Sequence, residues 1–106
     1  MRESETRHYT SARWNVRAGS EKDFVKTWTR LINWTRKRKF GLEEAVMLQE
    51  ADDSRRFVSL LTWKDLDEIA TWRKSAEYKK YISQLQEFCE EIQIRTLRPV
   101  ARVEER

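Results

Sequence analysis

Between His8 and Arg17 apolar and polar residues alternate, with Ala12, Trp14 and Val16 set against Arg13, Asn15 and Arg17. A period of two is that of a β-strand with one face buried. Gly19 and Ser20 break the pattern, and Ser20 with Asp23 has the form of a capping box at a helix start. Phe24, Trp28, Leu31, Ile32 and Thr35 then share one helical face up to about Lys39, where four consecutive basic residues and Gly41 suit a helix C-terminus. Strand character returns from Leu42 to Glu50, and the polar stretch from Ala51 to Arg55 reads as a hairpin loop leading into a third strand, Phe57 to Trp63. Asp65 follows as an N-cap with Glu68 in the first turn, and Leu66, Ile69, Ala70 and Arg73 at helical spacing predict a short helix. Ser75 caps a longer one, whose stripe is Tyr78, Tyr81, Ile82, Leu85, Phe88, Cys89 and Ile92. Ile94 to Val103 is the last strand, and Pro99 inside it places that stretch at a sheet edge or bulge.

The order strand, helix, strand, strand, helix, strand predicts a ferredoxin-like α+β fold, a four-stranded antiparallel sheet with helices on one face. The other face is left bare. Ala45 and Met47 lie on one side of the second strand and Val46 and Leu48 on the other. Apolar residues on both sides call for cover on the bare face. A second copy of the chain, joined sheet to sheet about a two-fold axis, is the economical candidate.

Length changes this picture little: 106 residues make one domain, of a size that buries only about 65% of the surface exposed by its unfolded form. Residues 1–7 read as a flexible leader and 8–106 as the domain. With 39% apolar and 38% charged residues and only two glycines and one proline, the composition is that of a soluble globular protein. The first ten residues lack the apolar core of a signal peptide, and no apolar run approaches the ~20 residues that cross a bilayer. A cytoplasmic protein without membrane contact is expected. The one cysteine, Cys89, cannot form an internal disulfide and reads as a buried thiol. The one histidine, His8, has no clustered cysteine or carboxylate, so no metal site is expected.

A net charge of +4 and twelve aromatic residues invite comparison with RNA-recognition motifs. The third strand argues against it, because Arg56-Phe57-Val58-Ser59-Leu60-Leu61-Thr62-Trp63 has no glycine and puts aliphatic residues where a second stacking ring should stand. The basic run Arg36 to Lys39 complements a helix dipole equally well. No nucleic-acid partner is expected.

Three segments carry a closer resemblance: Trp14 to Gly19 with Glu21-Lys22-Asp23-Phe24, then Phe57 to Leu60 through Trp63, then Trp72-Arg73-Lys74-Ser75-Ala76-Glu77-Tyr78. In their order and spacing they resemble the antibiotic biosynthesis monooxygenase family of dimeric α+β barrel proteins. The resemblance implies a homodimer joined through its sheets, with a pocket in each subunit between sheet and helices. Some members oxidise polycyclic phenols with molecular oxygen and no cofactor, so a small aromatic substrate, polyketide-like or a quinol, and no cofactor are implied here. Haem-degrading relatives use a first-strand Asn with a Trp and a His on the helical segment. Trp72 matches the Trp, but Ile82 and Ala12 stand at the other two positions.

Four residues are candidates for the catalytic site. Trp72 falls off the Leu66-Ile69-Ala70 stripe and can flank a planar ligand and donate through its indole N–H, or it is a packing residue at the helix junction. Tyr78 and Tyr81 offer phenols for proton transfer, although both lie on the apolar stripe. Asn15 can orient a carbonyl if it turns from the polar face. No carboxylate stands out as a general base. The function expected is a cofactor-independent monooxygenase; the alternative is a non-catalytic dimeric barrel that binds a small ligand.

Overall fold

The computed structural model describes residues 7–104. Seven elements follow one another: β1 (His8–Val16), α1 (Glu21–Lys37), β2 (Leu42–Glu50), β3 (Asp53–Trp63), α2 (Leu66–Lys74), α3 (Ala76–Glu87) and β4 (Cys89–Leu97). The strands form one antiparallel sheet in the order β2-β3-β1-β4, the ferredoxin-like arrangement, and all three helices pack on one face.

Register decides which side chains meet the helices. On the β1–β3 ladder Thr10 pairs with Leu61, Ala12 with Ser59 and Trp14 with Phe57, all buried. The intervening Arg13 and Arg56 point from the open face into water, as the alternation predicts. Phe24 on α1 clamps this layer, its ring centroid 5.2 Å from that of Trp14 and 5.0 Å from that of Phe57. Trp63, whose facing the sequence leaves open, is fully buried under the helices.

Two of the expected helix starts are made as the sequence suggests. The Asp65 carboxylate accepts from the Asp67 N–H at 2.8 Å, and the Ser75 hydroxyl from the Tyr78 N–H at 3.2 Å. The capping box at Ser20 is not made. Its side chain takes no cap hydrogen bond; instead Glu21 Oε1 accepts from the Gly19 N–H at 2.9 Å, so the acidic first residue closes the turn from inside.

The other corrections lie at element ends. The hairpin is tighter than expected, with β3 beginning at Asp53 rather than Phe57. The helical stripe does not reach Ile92: α3 stops at Glu87, and β4 starts at Cys89, not Ile94, and ends before Pro99. A bulge explains the misleading spacing. Val16 pairs with Cys89 while Asn15 pairs with Glu91, so Glu90 is the extra residue. Cys89 and Ile92, three apart, thereby share the inner face of a strand, a helix-like interval produced by one inserted residue. Most of the expected leader, 1–6, lies outside the described residues; Arg7 is held by Glu43 through a 3.1 Å ion pair.

Candidate active site

A cavity opens between the inner face of β1 and β3 and the three helices. Its wall is largely apolar, built from Ala12 and Trp14 of β1, Leu61 of β3, Trp28, Leu31 and Ile32 of α1, Trp72 of α2, Tyr78 and Ile82 of α3, and Ile94 of β4. Its volume is about 30 Å³, room for about two water molecules.

Aromatic stacking holds the far wall. Trp63, Trp72 and Tyr78 follow one another at centroid distances of 4.7 and 4.5 Å with tilted rings, a favoured geometry for aromatic quadrupoles. Three buried indoles are pinned by hydroxyls: Trp14 Nε1 donates to Ser59 Oγ at 3.0 Å, Trp63 Nε1 to Thr10 Oγ1 at 3.0 Å, and Trp72 Nε1 to Thr35 Oγ1 at 2.8 Å. Thr35 in turn donates to the Leu31 carbonyl at 2.8 Å. Buried polar groups are satisfied in this way at little cost.

These bonds change the part open to Trp72. Ile69 and Trp72, not Leu66 and Ala70, form the buried side of α2, and Leu66 is half exposed. Trp72 is thus on the packing stripe rather than off it, and its N–H is committed to Thr35. What it presents to a ligand is a ring face. Tyr78 lines the same cavity. Burial raises its phenol pKa above 10.0, while the neighbouring Arg73 guanidinium pulls the other way less strongly. The hydroxyl therefore stays protonated and is a hydrogen-bond donor at neutral pH.

The other two candidates lie elsewhere. Tyr81, on α3, is half-buried against the core and does not line the cavity. Asn15 sits on the opposite face of the sheet, in an open hollow of about 350 Å³ lined by Arg13, Glu50, Arg56, Val58, Glu91 and Gln93 among others. That hollow is larger, but its charges are hydrated, and an apolar ring would gain little by entering. Ala12 and Ile82, where the haem-degrading relatives place Asn and His, both contribute to the cavity wall. Among the described residues no three of His, Cys, Asp and Glu cluster.

Arg73 is the site residue that the sequence reading missed. At helical spacing from Ile69 it reads as the polar end of a short stripe. In the structure its Nη1 donates to Thr96 Oγ1 at 2.9 Å, and the side chain borders the cavity. A signal was present: a cation four residues after a buried Ile69 and next to Trp72 has to emerge beside the core.

The fold and the cavity define the class: a ferredoxin-like α+β protein with an aromatic-lined hollow between sheet and helices. The model of the family described as antibiotic biosynthesis monooxygenase matches residues 8–84, and the chain belongs to that family. Among solved structures it is similar to a conserved protein from Methanosarcina mazei Go1, with 23% identity, a TM-score of 0.82, and 91% of this chain and 95% of that one covered. SnoaB, a cofactor-independent oxygenase from Streptomyces nogalater, matches with 16% identity and a TM-score of 0.84 over 94% of this chain and 99% of that one. Rv0793 from Mycobacterium tuberculosis matches at 18% and 0.79, over 93% and 100%. At these identities the likeness is one of fold. No curated protein matches the sequence.

Proposed function

We propose that the chain is a cofactor-independent monooxygenase acting on a flat aromatic substrate of polyketide or quinol type, in a homodimer joined through the open sheet faces. Family membership supports the reaction type. The observation that carries the reading is that Trp72 and Tyr78 line one apolar cavity, a ring face beside a protonated phenol. The single thiol, Cys89, is free and buried, which suits a reducing, cytoplasmic setting.

The chemistry requires only that the substrate supply electrons. An ionised phenol or anthrone carries charge on the ring carbon that reacts with oxygen. Electron transfer followed by radical recombination forms a C–O bond to that carbon as a hydroperoxide. Loss of water then leaves a carbonyl: one CH₂ and one O₂ become one C=O and one H₂O, and all four electrons come from the substrate. The protein's part is to hold the ring against Trp72, donate a hydrogen bond from Tyr78 to the oxygen that gains charge, and keep out water.

One observation favours a second reading, a non-catalytic dimer that holds a small apolar ligand. A cavity of about 30 Å³ does not hold a tricyclic molecule without displacement of its walls. Oxygen uptake by metal-free protein against a panel of anthrones and hydroquinones, with autoxidation subtracted, separates the two. Saturable uptake of one O₂ per anthrone with water as co-product is expected. Uptake no faster than buffer across the panel gives the second reading.

A further inference from the structure

The Arg73 guanidinium is only partly partnered. Nη1 is bonded to Thr96 Oγ1 at 2.9 Å, but Nε and Nη2 are shut off from solvent and have no hydrogen-bond acceptor among the described residues. No carboxylate of the described residues lies within ion-pair distance of it. Arg73 as a whole is half-buried and its guanidinium neighbours the Tyr78 hydroxyl, but a charged donor shut off from water without a well-placed acceptor forfeits more than an ordinary hydrogen bond. Nε–H and one Nη2–H run parallel on the same edge of the guanidinium plane. That edge is the side-on fork with which arginine meets a planar oxyanion.

Its surroundings narrow the ligand. Arg73 borders a cavity walled by Trp72, Leu31, Ile82 and Ile94, and the Tyr78 hydroxyl is its neighbour. A hydrated inorganic anion would lose its water there against apolar side chains. An anion whose charge is spread over an aromatic ring would bury its ring on the apolar wall and keep its oxygen at the cationic edge.

We propose that Arg73 is the oxyanion-recognising residue of this cavity: its Nε–Nη2 edge receives the ionised oxygen of a phenol, with the Tyr78 hydroxyl as second donor, so ligands are bound as phenolates. This rests on the assignment of the cavity as the substrate site and supplies what the sequence lacks there, a means to ionise the substrate without a carboxylate base. A cation that binds the anion more tightly than the neutral phenol lowers the ligand's pKa by the logarithm of the ratio of the two affinities.

4-Nitrophenol is the probe, because it does not react with oxygen, its ionisation is visible as colour, and a single ring asks less movement of the rim than a tricycle. 4-Nitroanisole, its methyl ether, cannot ionise and serves as the neutral control. In the native protein the bound nitrophenol is expected to ionise about one to two pH units below the free compound. Arg73→Gln should remove that lowering and weaken nitrophenolate binding about 10- to 100-fold, with nitroanisole binding changed less than about twofold. Arg73→Lys, which keeps the charge but not the fork, should restore part of the lowering. Circular dichroism melts confirm that both variants fold. Three results overturn the proposal: an unshifted pKa in the native protein, a lowering that survives in Arg73→Gln, or no nitrophenol binding up to millimolar concentration. The oxygenase reading fails separately. A lowered pKa without oxygen uptake on anthrones leaves a phenolate-binding cavity that does not oxygenate, and uptake without the lowering leaves oxygenation that does not use Arg73.

Discussion

At the scale of single residues the cavity wall is held by hydroxyls that each accept one indole N–H. Trp72 is the pivotal case, because it packs between Trp63 and Tyr78 and spends its N–H on Thr35. Trp72→Phe removes that bond and leaves part of the indole volume empty. A loss of about 2 kcal/mol is expected, seen as a melting-temperature drop of roughly 10 °C. The sequence alone leaves ligand contact and packing both open for Trp72, and its burial is the reason a stability cost is expected. Cys89 gives a second prediction. Burial raises its thiol from 9.0 to about 11, so above pH 9 the unfolded chain releases this proton before the folded one does. The unfolded state then holds fewer protons, and stability falls as pH rises from 9 to 11, by at most about 3 kcal/mol. Tyr78, also raised by burial, acts in the same sense at higher pH. Urea melts at pH 8 and pH 10 should show a smaller alkaline loss in Cys89→Ala than in the native chain.

At the scale of elements the junction between α2 and α3 is what brings the site together. Ser75 serves both helices: its N–H donates to the Trp72 carbonyl at 3.1 Å, its hydroxyl donates to the same oxygen at 2.7 Å, and that hydroxyl accepts from the Tyr78 N–H at 3.2 Å. One side chain thus ends the helix that carries Trp72 and starts the one that carries Tyr78. Ser75→Ala is expected to cost about 1 kcal/mol and to weaken ligand binding as well, since the two aromatic rings lose their shared anchor. Asp65→Ala, a cap of similar strength at the far end of α2, should cost about as much stability with binding unchanged. Calorimetric ligand titration beside thermal melts of the two variants distinguishes a cap from an anchor. Gly41 closes the loop before β2 at φ +84°, where an added Cβ meets nothing nearer than 3.7 Å. Gly41→Ala therefore carries only the backbone cost of a left-handed residue.

At the scale of the whole molecule the chain is a slab, 47 × 35 × 19 Å, its short axis the thickness of one helix layer on one sheet. Its radius of gyration of 14.5 Å exceeds the ~13 Å of a compact domain of this length. The open face carries Val46 and Leu48 of β2 and Leu97 of β4, 42%, 54% and 43% exposed, with Val58 and Leu60 of β3 between them. At the other end of that face residues 98–103 pass beside Leu60 and Thr62, and Arg102 Nη2 donates to the Tyr9 hydroxyl at 3.2 Å. Burying such a face offsets the marginal stability of a two-layer domain. Sedimentation at micromolar concentration should give a dimer, and Leu48→Lys, on the open face and outside the cavity, should shift it toward monomer and lower its melting temperature. A native chain that sediments as monomer would remove the homodimer from the proposed function.

Periodicity, caps and loop chemistry are local properties, and the sequence by itself determined what depends on them. The order of elements, the ferredoxin-like fold, the caps at Asp65 and Ser75, the full span of β2 and the core place of Trp28 could all be read from neighbours a few residues apart. Only the tertiary structure decided what depends on pairing across the chain. The bulge at Glu90 is invisible until β4 meets β1, so the end of α3 was misplaced. The register of β1 against β3 turned Trp14 and Trp63 inward, whereas the outward facing of Asn15 was already legible in the alternation of β1. The site followed the same rule. Trp72 and Tyr78 could be chosen from their residue types and places on the helices, but the choice of partner for an indole N–H depends on Thr35, thirty-seven positions away. Which edge of Arg73 is left facing inward without a well-placed acceptor depends on which of its nitrogens Thr96 meets. Hydrogen-bond satisfaction is a property of the assembled interior, and it sets the chemistry left available to a ligand.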